Sequence, residues 1–436
     1  MAVIGSGPSG LAALKVLTQF GFDTVAFEAG DRVGGHWAFG NASGHSAAYR
    51  SLRTNTHKGM CRFSDYEVPA ELPDFPSHEQ MAGWFESYAR DFGVLDRIRF
   101  GARVTRARPV EAERWELEVD GEEGGTFDAV VAATGNLWDP RWPDLPGNFS
   151  GDRLHSKDYR DPTDPVDCRG RRVLVVGLGN TACELAVELA AEGGASDVLL
   201  SARSGQLILP RRVNGKLMAP PHPADPLPPP FRWLPARLRD AAFARILPRV
   251  FERMLAGIPS PVDVGLPPPP ADIFSKRSVI NDDVLASIAE GAIRVKPAIR
   301  SLSAREVEFV DGSSEPVDVV LAATGYEFTL PFLSRDVPDA DGDDARYYRG
   351  VMHPRHPTLF VVGVMRALCS IWPRSEQQAN WIAHRLRGDF ALPSGARVAR
   401  AAYPILRVPF DNCQIHAHDL RQDLPRKRRH GWGATS

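Results

Sequence analysis

Two short apolar runs, each passing directly into a glycine-rich turn, constrain this chain more than any other feature. The first is Ala2-Val3-Ile4 followed by Gly5-Ser6-Gly7-Pro8-Ser9-Gly10; the second is VLVV (173–176) followed by Gly177-Leu178-Gly179-Asn180-Thr181-Ala182. A strand that turns at once into a helix uses the first glycine for the tight turn. The second lets backbone approach a pyrophosphate, and the third is small where helix and strand touch. The helix then offers its N-terminal N–H groups and positive dipole end to the phosphates. A second strand follows each unit, Thr24–Phe27 and Val198–Leu200, and two more apolar strands end in Ala-Thr-Gly at 133–135 and 323–325. This is the rhythm of a parallel sheet, occurring twice. The expected fold is α/β, with two doubly wound Rossmann-like dinucleotide-binding domains.

The units differ where their second strands end. Glu28 closes VAFE at the distance where a carboxylate accepts from ribose hydroxyls, and a carboxylate there disfavours a 2′-phosphate. The first site therefore suits FAD or NAD. In the second unit VLLSARSG puts Ser201 and Arg203 at that place, and an arginine pairs with a 2′-phosphate. The second site selects NADPH, with Arg211 and Arg212 also within reach of the phosphate. Two such sites on one chain imply electron flow from NADPH to FAD, with the hard chemistry left to the flavin.

The rest of the sequence narrows the class. With 436 residues, 43% hydrophobic and 24% charged, the chain can bury a sizeable core, and its net charge of −2 gives no footprint for nucleic acid. No apolar run is long enough to span a bilayer, and no basic region precedes the first apolar run, so a cytoplasmic location is expected. Cys61, Cys168, Cys183, Cys369 and Cys413 lie far apart and form no CxxC pair, which argues against a redox disulfide and against a metal site. A Pro-rich stretch within about 205–272 reads as an irregular insertion. Inside it, 234–255 has apolar residues at helical spacing opposite Arg237, Arg239, Arg245, Arg249 and Arg253. It reads as an amphipathic helix packed on its own domain, and RKRRH (426–430) as a solvated end.

Phe149-Ser150-Gly151-Asp152-Arg153-Leu154-His155-Ser156-Lys157-Asp158-Tyr159-Arg160 matches FxGxxxHxxx[YF][KR]. With it the chain resembles the class B flavin-dependent monooxygenases. Tyr159, where Baeyer–Villiger enzymes carry tryptophan, aligns it with the flavin-containing (N-, S-oxygenating) branch. The resemblance runs through EAGDRVGGHW (28–37), SLRTNTHKGM (51–60), LVVGLGNTACELAVEL (174–189), VLAATGYEFTLPFL (320–333) and EQQANW (376–381). Gln206-Leu207 departs from the tryptophan often found there.

The resemblance implies an FAD domain over 1–160, resumed at 326–436, and an NADPH domain over 161–325. FAD contacts would fall on Gly5, Gly7, Pro8, Ser9, Gly10, Glu28, Gly35, His36, Trp37, Val104, Thr134, Gly135 and Gln378. NADPH contacts would fall on Gly177, Gly179, Asn180, Thr181, Arg203 and Arg211. His155 and Tyr159 would sit at the linker, in a hinge or structural role, with a catalytic base at His155 as the alternative. Asn55 would lie near the isoalloxazine, where a neutral amide donates and accepts hydrogen bonds without adding a titratable proton. The implied reaction uses NADPH and O₂, through a C4a-(hydro)peroxyflavin, to oxygenate a nucleophilic nitrogen or sulfur of a small molecule. Baeyer–Villiger oxygenation of a ketone or aldehyde, and a reductase passing electrons to a partner, stay open as alternatives, as does a homodimer.

Overall fold

The computed structural model describes residues 1–218, 253–271, 276, 278–333, 335–365, 370–406, 420–421 and 423–424, with 238, 242, 245–246 and 249 as isolated positions. Contacts group the chain into two units, 1–48 with 52–139 and 326–436, and 49–51 with 140–325.

The first unit is built on β1 (Ala2–Ile4), α1 (Pro8–Gln19), β2 (Val25–Phe27), α2 (His78–Asp91), β3 (Ile98–Arg99), an antiparallel meander β4 (Val104–Val110), β5 (Arg114–Val119) and β6 (Glu122–Phe127), and β7 (Val130–Ala132). A closing strand, Leu359–Val361, and a long helix, Trp372–Leu386, complete it. The central sheet runs closing strand–β7–β1–β2–β3, with its paired strands parallel. Apart from Arg99 at the edge strand β3, its strands are apolar because both faces are covered. Period-two alternation divides them: Ala2, Ile4, Val130 and Ala132 face a cluster with Trp115 and Leu117 of the meander, while Val3 and Val131 face Leu11, Leu14, Trp381 and Ile382 of the helices. Lys15, only 3% exposed, sits between Asp65 (2.6 Å) and Glu376 (3.2 Å) and ties α1 to the long helix. Ser77 caps α2 by accepting from the Gln80 N–H while its own N–H donates to the Gln80 side chain.

The second unit repeats the plan with β8 (Asp152–His155), β9 (Arg172–Val176), α3 (Asn180–Ala190), β10 (Asp197–Ser201), β11 (Arg294–Lys296) and β12 (Val319–Ala322). The order is β11–β10–β9–β12–β8, all parallel. A meander over Ile299–Leu302, Glu306–Phe309 and Ser314–Pro316 again precedes the Ala-Thr-Gly strand, and Val307 and Phe309 pack on Leu174, Val176 and Val320. The paired β-α-β units and the two Ala-Thr-Gly strands are those expected from the sequence; the meanders between them come from the structure.

The boundary differs from the expected 160. Residues 140–160 group with the second unit because β8 adds to its sheet in register with β12, Leu154 opposite Leu321. Tyr49–Ser51 also belong there. Most of the amphipathic stretch 234–255, and all of 426–430, lie outside the described residues. Leu238 and Ile246 are 58% and 47% exposed, so at these two positions the expected apolar packing is not made.

Candidate functional site

The first fingerprint is enforced by contact. Gly5 has φ +98°, and a Cβ there would stand 2.8 Å from the Ala133 carbonyl oxygen; one on Gly10 would stand 2.0 Å from that of Gly5. Gly7 caps α1 with Pro8 in its first turn, and its backbone lies against Gly35, where a Cβ would meet the Gly7 Cα at 2.9 Å. Two backbones thus run close together at a helix N-terminus, the arrangement that holds a pyrophosphate. Glu28 is buried: one carboxylate oxygen accepts from the N–H (2.7 Å) and hydroxyl (2.9 Å) of Ser6, the other from the Gly30 N–H (2.8 Å). Its position is therefore fixed, with lone pairs left over for a ribose.

Polar atoms around this cradle lack protein partners. Beside Gly5 and Gly35, the hydroxyl of Thr134 and Nδ1 of His36 are buried without a hydrogen bond. Buried polar groups are normally paired, so these fit a polar ligand, and an FAD fits the glycines, Glu28 and Thr134 together. Burial, with His78 nearby, lowers the His36 pKa to about 4, so its imidazole is neutral. Trp37 packs edge-on against Trp372 at 5.5 Å.

Asn55 is half-buried in a loop pinned on both sides. The Thr54 N–H donates to Pro76 (2.9 Å) and the Lys58 N–H to Asp74 (2.8 Å), while Nζ of Lys58 donates to the carbonyls of Ala70 (2.6 Å) and Leu72 (2.5 Å). Val104 is buried against the core, and Gly135 takes φ +70° directly after Thr134. Gln378 is fully buried, accepting from the Gly363 N–H at 2.9 Å, and Gly363 backs closely onto Ser9 of the fingerprint. Its amide braces the cradle from behind. Ser9 is held in turn by the Ser375 hydroxyl at 2.8 Å.

In the second unit Gly177 takes φ +128° with a Cβ position 2.5 Å from the Ala323 carbonyl, whereas a Cβ on Gly179 would meet nothing within 4 Å. Asn180 opens α3 and accepts from the Ile280 N–H at 2.7 Å. Thr181 follows it in the first turn. Arg203 is exposed just past β10 and has no carboxylate partner among the described residues. Arg211 is placed differently: it donates to Glu184 (3.3 Å) and to Asp282 (3.0 Å). Lys276, which sequence reading did not single out, donates to the Ser204 hydroxyl at 2.7 Å and so brings a second cation beside Arg203. Only the chain's return from residue 276 creates that proximity; no local pattern signals it.

The linker motif is anchored within the second unit. Tyr159 is buried and its hydroxyl donates to Glu188 at 2.9 Å, and burial pushes the Glu188 carboxyl above the usual range. The His155 ring is buried beside Trp142, its Nδ1 accepts from the Lys157 N–H at 3.1 Å, and desolvation lowers its pKa. These are structural contacts. Burial pushes the thiols of Cys61 and Cys168 up to about 12 and about 11, away from nucleophilic reactivity. Among the described residues no group of His, Cys, Asp and Glu can hold a metal ion, and no helix is long and apolar enough to cross a membrane.

Comparison with known proteins agrees with this geometry. Residues 1–403 match the model of the flavin-binding monooxygenase-like family. The chain is 32% identical to the N-oxide-forming dimethylaniline monooxygenase 2 of Rattus norvegicus over 411 residues, covering 90% of this chain and 74% of that protein. It is 34% identical to flavin-containing monooxygenase 5 of Oryctolagus cuniculus over 414 residues, with the same coverage. Among solved structures it resembles cyclohexanone monooxygenase from Rhodococcus sp. Phi1 bound to NADP⁺, with TM-score 0.69, 19% identity, and 97% and 96% of the two chains covered. It also resembles S-allyl-L-cysteine S-oxygenase from Allium sativum, with TM-score 0.65, 22% identity, and 99% and 90% covered. With two glycine-rich cradles and these relatives, the chain belongs to the flavin-binding monooxygenase-like family and is an FAD- and NADPH-dependent monooxygenase.

Proposed function

We propose that this monooxygenase uses NADPH and O₂ to oxygenate a nucleophilic nitrogen or sulfur of a small molecule. The observation that carries this reading is Tyr159. The linker motif carries a tyrosine next to its last position whose hydroxyl donates to Glu188, and a relative at 32% identity is N-oxide-forming. The likeness to cyclohexanone monooxygenase, at 19% identity, is one of fold.

Gly5, Gly7, Pro8, Ser9, Gly10, Gly35 and Thr134 would hold FAD in the first cradle, with Glu28 on its ribose. Gly177, Gly179, Asn180 and Thr181 would hold NADPH in the second, with Arg203, seconded by Lys276, reading the 2′-phosphate. Arg211, engaged with two carboxylates, contributes less to that reading. When bound, reduced flavin supplies the activation of O₂. Asn55 on its pinned loop offers an amide that hydrogen-bonds without giving up a proton, which protects an oxygenating site from wasteful discharge as H₂O₂. No protein nucleophile is required. The test is aerobic turnover with tertiary amines, thioethers and ketones, read by product mass. A gain of one oxygen on amine or sulfide supports the reading. Ester from ketone alone would transfer it to Baeyer–Villiger chemistry, and NADPH consumption with a dye but no oxygenated product to a reductase.

A further inference from the structure

Glu184 is a titratable group that the reading above does not use. It lies one turn into α3 from the fingerprint, with its side chain only 16% exposed. Two groups from distant parts of the second unit converge on its carboxylate: the Tyr49 hydroxyl donates to one oxygen and the Arg211 guanidinium, at 3.3 Å, to the other. Arg211 also grips Asp282, through its side chain at 3.0 Å and its backbone N–H at 2.7 Å. Arg211 and Asp282 each directly follow a strand residue or its neighbour in a short parallel ribbon, Ile208–Leu209 with Val279–Ile280. The same ribbon reaches α3 a second time, where the Ile280 N–H donates to Asn180. The ribbon is thus fastened to the dinucleotide helix at its first residue by an amide and one turn later by a charge.

We propose that Glu184 is a positioning residue of the NADPH site: through Arg211 and Asp282 its carboxylate clamps the 208–209/279–280 ribbon onto the helix that receives the pyrophosphate. This rests on the assignment of NADPH to the second fingerprint. The groups around the carboxyl are Tyr49 from the 49–51 segment, Arg211 and Asp282 from the ribbon, and Cys183 and Glu188 from α3, Glu188 itself taking Tyr159. Burial raises the Glu184 pKa to about 7, against the opposing pull of Tyr49 and Arg211. A raised carboxyl pKa leaves the group neutral below that pH and ionised above it. The clamp is therefore complete above about pH 7 and relaxes as pH falls through it.

The experiment is NADP⁺ binding to the FAD-loaded protein by calorimetry from pH 6 to pH 8.5, for wild type, Glu184→Gln and Tyr49→Phe, with flavin content and melting temperature recorded for each. The ratio of the Gln variant's Kd to that of wild type cancels the titration of the ligand's own phosphate. That ratio is expected to be about three- to tenfold at alkaline pH, the low end of coupling between contacting groups, and to fall towards one at pH 6. Tyr49→Phe removes a donor that favours the ionised carboxyl, so the pH midpoint should rise while the alkaline limit holds. A ratio independent of pH, or an unmoved midpoint, overturns the clamp while leaving NADPH at the second fingerprint. Failure of wild type to bind NADP⁺ at any pH overturns both.

Discussion

In the first unit the third fingerprint residue is Gly10, and a methyl there would lie 2.0 Å from the carbonyl oxygen of Gly5; in the second it is Ala182, and an alanine methyl is already accommodated beside Gly177. The second glycines differ in the same sense. Gly7 is covered by Gly35, whereas Gly179 faces open space. The anchoring residues diverge too, with Glu28 buried and tied to backbone, and Arg203 exposed and unpaired among the described residues. One sheet plan therefore produces a tight cradle at the first fingerprint and a more open one at the second. What separates them is steric clearance around a few residues.

The sharpest way to break this comparison is the pair Gly10→Ala and Ala182→Gly. Gly10→Ala forces backbone apart at the turn, so the variant should purify without flavin and melt well below wild type, with overpacking strain of ~1–3 kcal/mol or more. A yellow, fully loaded Gly10→Ala protein would show that the first cradle is as permissive as the second. Next in size is Asn55→Ala. It should leave FAD content and flavin reduction by NADPH intact while coupling of NADPH to product falls by ~10²-fold in favour of H₂O₂, as for loss of a preorganised donor. Retained coupling would reduce Asn55 to a loop residue.

Arg203→Ala addresses the open cradle. It should weaken NADPH by roughly ten- to hundredfold, from ~1.5–3 kcal/mol of a charge-assisted contact, and leave NADH nearly unchanged in steady-state KM. Equal losses for both would mean that Arg203 does not read the phosphate. Tyr159→Phe removes the donor to Glu188 and should cost ~1–3 kcal/mol, seen as a melting temperature lower by several degrees with FAD retained. Smallest is Ala182→Gly: about 1 kcal/mol of helix propensity and a minor change in NADP⁺ affinity.

Several features were legible in the residues alone. The short apolar strand Ala2–Ile4, the glycines at Gly5, Gly10 and Gly177, and the change from Glu28 to Arg203 are local chemistry. Each is imposed by a turn, a close approach or a charge within a single β-α-β unit, so spacing reveals it. The linker motif gave the family for the same reason, since its residues are contiguous.

What only the tertiary structure decided depends on groups distant in sequence. It assigned 140–160 to the second unit through the β8–β12 pairing, placed Arg211 on Glu184 and Asp282, and brought Lys276 to Ser204. It also turned Gln378 to brace Gly363 and gave Tyr159 a carboxylate. A side chain's type states which bonds it can make, but the partner that takes them is chosen by sheet order and helix packing. A buried carboxylate or guanidinium settles on the nearest opposite charge that the fold supplies, because leaving it unpaired costs more than the contact gains.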